Sequence, residues 1–228
     1  FIGLSVGVMA ADVGNSPETV NNQQPGSNNG GSDSGGSPGA GGSEQVDMSD
    51  VSDEGEPVMG ESDAPVTMYI YEDLECPFCK RFEQGAFPQI VSEYVDSGQV
   101  KLVWKDMPLT QLHPWAKDGA IAMECVFREG GSDAFWSTKD KVFNNQEVVN
   151  TGNVNDQIVR WASDNGVSES AVRSCIESGD ATKEVDEDLS EGRGLGVSGT
   201  PTVFVNGQKV VGAQPFGQFQ SVIESKLN

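Results

Sequence analysis

An α/β domain carrying an all-helical insertion, behind a disordered N-terminal stalk, follows from three stretches of this chain. Near its middle a strand-like run, Val66-Thr67-Met68-Tyr69-Ile70-Tyr71, rich in β-branched and aromatic residues, gives way to a helical pattern running from Cys76 to Val95. A second strand, Val100 to Lys105, follows a Ser97-Gly98 turn. At the C-terminal end, Thr202-Val203-Phe204-Val205 and Lys209-Val210-Val211 flank Asn206-Gly207, a strong hairpin signal, and Phe216 to Leu227 close the chain as a helix. Between these ends, about residues 114–192 carry helical patterns alone: Pro114 to Phe127, Ala134 to Phe143, Val154 to Asp164, Glu169 to Ile176 and Lys183 to Glu191. Gly-Gly, Asn-Asn, Thr-Gly-Asn, Asn-Gly and Ser-Gly breaks separate them. Pro88 is expected to kink the first helix, because its ring clashes with the preceding turn.

The stalk is read from composition. Residues 15–63 are Gly, Ser, Asn, Asp, Glu and Pro with scarcely an apolar side chain, too few to offset the entropy of ordering the chain. Before it, residues 1–14 open on a short apolar run, Phe1 to Ala11, with a small-residue stretch at Val8-Met9-Ala10. Eleven residues are too few to cross a bilayer, which takes about 20. The run reads as the remnant of a signal or anchor segment and places residues 64–228 outside the cytoplasm, secreted or tethered to the membrane through the N-terminus.

The chain's net charge is −21, with 35 acids against 14 lysines and arginines, and the first basic residue is Lys80. Eleven acids precede Ala64 without a counter-charge, and the remaining 24 still outnumber the bases. Such a chain repels nucleic acid and anionic lipid, which argues against both as partners. An acid excess on the domain as well as the stalk, with few lysines, is also expected of a halophilic organism's protein.

The chemistry centres on Cys76-Pro77-Phe78-Cys79. At a strand-to-helix junction the first cysteine sits where unpaired N–H groups and the helix dipole favour a thiolate, and the second lies one turn inside. That makes Cys76 the exposed nucleophile and Cys79 the sheltered resolving thiol of dithiol/disulfide exchange through a mixed disulfide, with Pro77 stiffening the loop. Cys125 and Cys175 form no second such pair and His113 is the single histidine, so no metal site is expected. No cofactor is needed, since the dithiol itself carries the electrons. The four tryptophans, Trp104, Trp115, Trp136 and Trp161, read as packing residues.

Together with Asp73-Leu74-Glu75 before Cys76, Met107-Pro108-Leu109 with His113-Pro114, Gly196-Val197-Ser198-Gly199-Thr200-Pro201-Thr202 and Val205-Asn206-Gly207, this motif resembles the DsbA-like thiol:disulfide oxidoreductase family of the thioredoxin superfamily, over residues 64–228. The resemblance implies a thioredoxin-like fold with a helical insertion and a cis-proline loop at Thr200-Pro201, where the Thr200 backbone pairs with an extended substrate. It implies a structural disulfide between Cys125 and Cys175, the alternative being two buried thiols. It also implies unfolded or partly folded secreted substrates with cysteines, and a redox recycling partner of the kind of a quinone-linked membrane oxidase. A reductase or isomerase of the same fold, a non-catalytic binding or chaperone module and, more weakly, a thiol peroxidase remain alternatives.

Two departures bear on redox strength. Phe78 stands where the family's strongest oxidants carry histidine, and Glu75 repels a thiolate at Cys76, so a weaker oxidant than about −120 mV is expected. Ile70 occupies the place of the superfamily's buried acid, leaving Glu72 or Asp73 to substitute. Phe78, Leu74 and Pro201 are expected to offer substrates an apolar surface, and His113 to cap the insertion or pack at its hinge.

Overall fold

The computed structural model describes residues 44–228. Strands β1 (Val58–Met59), β2 (Val66–Glu72), β3 (Val100–Asp106), β4 (Thr202–Val205) and β5 (Gln208–Val211) form one sheet in the order β1-β3-β2-β4-β5. Only β2 and β3 run parallel, because a helical connection returns the chain between them; β4 and β5 form the expected hairpin. The fold is thioredoxin-like with a helical insertion, as the sequence indicates.

The connection between β2 and β3 breaks earlier than expected. Helix α1 (Pro77–Gln84) ends at Gly85, and α2 (Phe87–Ile90) runs into a π-helical turn at Val91–Val95. Pro88 stands in the first turn of α2, where its missing N–H costs nothing, so the break is set by Gly85-Ala86 and not by a kink at the proline. In the insertion, α3 (Ala116–Asn144) is interrupted at Gly131, whose φ of 74° an L-residue rarely adopts. A 3₁₀ turn (Gln146–Val148), α4 (Val154–Ser163), α5 (Glu169–Ser178) and α6 (Thr182–Gly194) complete it, and α7 (Phe216–Leu227) ends the chain.

Alternation along β2 builds two cores. Val66, Met68 and Ile70 join Leu102, Trp104, Phe82, Phe135 and Phe219 on one face. Tyr69 and Tyr71 turn to the other, with Phe204, Met107, Leu189 and Leu195. There α6 approaches so closely that a β-carbon on Gly192 would lie 2.9 Å from the Tyr71 ring.

The expectation of a disordered linker as far as Asp63, with a domain beginning at Ala64, is corrected over residues 44–63; the stalk before them lies outside the described residues. Val46 and Met48 pack on the second core. Val46 N–H donates to the Gly207 carbonyl at 2.8 Å and Trp104 N–H to that of Pro57 at 3.0 Å. Residues Val58–Met59 pair antiparallel with β3. The acids that suggested disorder meet distant lysines: Asp53 pairs with Lys101, and Glu56 with Lys105 at 2.8 Å.

Candidate active site

The redox loop is built by a buried carboxylate. Asp73, 1% exposed, accepts the Glu75 N–H through one oxygen, and through the other the Leu109 N–H at 2.7 Å and His113 Nδ1 at 2.8 Å. It thereby fastens the turn before Cys76 to the segment after β3, and this gives His113 its role. Cys76 is the N-cap of α1 with extended backbone (ψ 124°), and Pro77 is the first helical residue.

Cys76 and Cys79 are both unbonded thiols. The Cys76 thiol faces the Thr200 carbonyl at 3.5 Å, and the Thr200-Pro201 peptide is cis. The structure therefore brings Cys76, Cys79, Thr200 and Pro201 together. Cys76 is not exposed, as a nucleophile was expected to be: the cis-proline loop leaves it 3% accessible.

The two sulfurs are polarised in opposite directions. A hydrogen bond from the Cys79 thiol, helped by the Thr200 side chain and the backbone N–H groups of Cys79 and Phe78, outweighs burial and lowers Cys76 from 9.0 to about 5. Cys79 is pushed well above the ordinary thiol range by burial, by its bond to Cys76 and by the charge of Glu72. Glu75 does not oppose the thiolate as the sequence suggested, since its carboxylate turns away to accept the Trp115 N–H at 2.7 Å. Phe78 contributes through its backbone, while its ring stays 52% exposed under the Arg81 guanidinium, 4.7 Å from the centroid.

Behind Cys79 lies a buried charge cluster whose composition was only half anticipated. Glu72 is 1% exposed, and its carboxyl is raised well above the usual range by burial and by the neighbouring Glu83. Glu83 pairs with the wholly buried Lys139 at 2.5 Å, and that ammonium lies 3.8 Å from the centre of the Phe87 ring. Glu83 and Asp140 line a cavity of about 580 Å³. Glu83 and Lys139 carry no sequence signal for this role, being a charge inside one helix and another 56 residues away.

The apolar surface differs from the expected one. Leu74 is 2% exposed and Pro201 is buried, so neither faces solvent. Phe78, Leu112, Val148 and Val211 are the exposed large apolar side chains among the described residues. The last three lie beside contacts to the redox loop: Leu112 precedes His113, Val148 follows Gln146, and Val211 precedes Gly212, whose N–H donates to the Pro201 carbonyl.

Cys125 and Cys175 are joined by a disulfide that ties α3 to α5 far from the redox loop in sequence. Among the described residues no group of three or more His, Cys, Asp or Glu is placed to hold a metal ion, and no helix is long and apolar enough to cross a membrane.

Comparison with known proteins agrees with this geometry. The family model described as Thioredoxin matches residues 52–225. The chain is 28% identical to disulfide bond formation protein D of Bacillus subtilis over 179 residues, 76% of this chain and 78% of that one. It is similar to the crystal structure of oxidised BdbD from Bacillus subtilis, with a TM-score of 0.71 and 25% identity, over 81% of this chain and 97% of that one. It is also 32% identical over 152 residues to Na(+)/H(+) antiporter NhaA 3 of Salinispora tropica, matching 67% of this chain and 22% of that protein.

Proposed function

Because the chain belongs to the thioredoxin family, and within it to the DsbA-like thiol:disulfide oxidoreductases, we propose that it forms and exchanges disulfides in exported proteins through Cys76 and Cys79. One observation carries the reading: a low-pKa sulfur at a helix N-cap, facing the Thr200 carbonyl, three residues from a sulfur that burial keeps protonated.

In the oxidising direction a substrate thiolate attacks Cys76 Sγ, the Cys76–Cys79 bond breaks, and Cys79 leaves with the electron pair and takes a proton. A second substrate thiolate then attacks the substrate sulfur of the mixed disulfide. The substrate disulfide forms and Cys76 departs as a thiolate, so the two electrons remain on the dithiol. A good leaving group speeds that last step, and a pKa of about 5 makes Cys76 one. This value lies between those of DsbA, about 3.5, and thioredoxin, about 7. It supports a potential between their roughly −120 and −270 mV.

Glu72 is the group that gives Cys79 its proton, and takes it back in the reverse direction. Its carboxyl is raised well above the usual range by burial, neither of its oxygens has a hydrogen-bond partner among the described residues, and its charge acts on the Cys79 thiol. Phe78, Leu112, Val148 and Val211 receive the apolar residues around a substrate cysteine, while Thr200 pairs with its backbone.

The stalk and the apolar N-terminal run support an extracytoplasmic location, with a membrane redox protein reoxidising the dithiol. The acid excess supports a surface built for concentrated salt; equal stability in dilute buffer and in molar KCl would remove that element.

The activity is tested with oxidised protein and a reduced, unfolded substrate. Cys79→Ser is expected to accumulate a mixed disulfide on Cys76, with substrate backbone lying against Thr200. Substrate oxidation that persists in Cys76→Ser would remove Cys76 from the reaction, and no oxidation by the wild type would leave the domain a binding module.

A further inference from the structure

The segment that leaves α3 is laced to the active-site helix by three side-chain contacts. Gln84 Nε2 donates to Asn144 Oδ1 at 3.1 Å, and Lys80 pairs with Glu147 at 3.1 Å, both at the surface where such contacts contribute little. The third differs in target and burial. The half-buried Gln146 donates through Nε2 to the Leu74 carbonyl at 2.7 Å and to the Cys76 carbonyl at 3.3 Å.

Those two carbonyls bracket the peptide units that set the position of Cys76. The Cys76 carbonyl also accepts the Lys80 N–H, the first hydrogen bond of α1, at 3.1 Å. The Leu74 carbonyl has no other partner among the described residues. With two acceptors converging on one side-chain amide, the amide must present its nitrogen, since an oxygen there would face two carbonyl oxygens.

We propose that Gln146 is a positioning residue for the redox centre: from the helical insertion it holds the Leu74 and Cys76 carbonyls so that the Cys76 sulfur stays among the N–H groups that open α1. Two effects follow from one contact. The peptides are fixed before reaction, so no reorganisation is needed when charge appears on sulfur. The donated N–H also offsets the negative ends of two carbonyl dipoles close to that charge. The role rests on the reading of Cys76 as the reacting thiolate.

Gln146→Met keeps the length of the side chain and removes the donor; Gln146→Glu keeps its shape and turns a carboxylate toward the two carbonyls. Glu147→Gln removes the neighbouring surface ion pair as a control. In the reduced full-length protein, the pH midpoint of Cys76 alkylation and the equilibrium with glutathione are measured beside thermal unfolding. Loss of one net hydrogen bond is expected to move the glutathione equilibrium roughly two- to tenfold toward the protein disulfide and to raise the alkylation midpoint. Gln146→Glu should move both further, and Glu147→Gln neither. A purely structural role would lower the unfolding temperature and leave the midpoint in place. Wild-type midpoints in both Gln146 variants would overturn this proposal alone, whereas a wild-type midpoint near an ordinary thiol's would overturn the Cys76 reading and this role with it.

Discussion

Two buried sites in this molecule handle negative charge in opposite ways. At Cys76 one sulfur charge is met by the Cys79 thiol, the Thr200 side chain and two backbone N–H groups, and the site lowers its pKa to about 5 without an ion pair. Around Lys105 three carboxylates, Glu56, Asp188 and Glu191, share one ammonium at 2.8, 3.0 and 3.3 Å. Yet burial and mutual repulsion push Glu56 up to about 8. Asp106 beside them is raised to about 7, chiefly by burial and by the charge of Asp188. Hydrogen bonds outweigh burial at the first site, and burial outweighs the shared cation at the second. The first site is built to carry charge that comes and goes; the second fastens residues 44–63 to β3 and α6.

Removing the sulfur has the largest effect. Cys76→Ser should reduce disulfide exchange to background, while melts in the oxidised wild type and the variant show whether the fold persists. Next, Glu72→Gln withdraws the proton donor for Cys79 and should slow mixed-disulfide turnover by about 100-fold in a stopped-flow assay. Near-wild-type turnover would move that role elsewhere. At the other site, Lys105→Met strips the shared cation from three carboxylates and should cost about 3 kcal/mol of stability by urea unfolding, less at pH 5 than at pH 9, where Glu56 has lost its proton.

The pH dependence of stability sharpens the contrast. Glu56 binds its proton more tightly in the folded chain, so the stabilisation is present at low pH and is lost as pH rises from about 4.5 through about 8. Cys76 binds its proton less tightly when folded, so the reduced protein is stabilised above pH 9, and this is lost as pH falls through about 5. Melts of the oxidised form should therefore weaken between pH 5 and 8, and the difference, reduced minus oxidised, should rise over the same range. Parallel slopes would erase the distinction between the sites. The smallest change expected comes from Phe78→His, which adds a partly exposed cation beside the thiolate and should favour the dithiol by less than about tenfold against glutathione.

How much of this was legible in the sequence depended on range. The CxxC junction, the hairpin at Asn206-Gly207 and the helical insertion are local patterns, and they appear where periodicity and turn chemistry place them. The order of residues 44–63 was hidden because its causes are distant. Val46 and Met48 look like stray apolar residues until β4 and α6 supply a face, and Asp53 and Glu56 look uncompensated until Lys101 and Lys105 are brought beside them. Leu74, apolar and next to the motif, read as a substrate contact, but the turn fixed by Asp73 directs it into the core. Gln146 carried no signal at all, since an amide after a helix is ordinary until two carbonyls converge on it.

On the proposed function, hydrogen-bond donors and not a neighbouring ion hold a thiolate on Cys76. The most direct test is the alkylation rate of the fully reduced protein from pH 3 to 10, in dilute buffer and in molar KCl, with the modified residue identified by peptide mapping. A single midpoint near 5 on Cys76, little changed by salt, is the predicted result. A midpoint near 9, a strong dependence on salt, or modification beginning at Cys79 would contradict it.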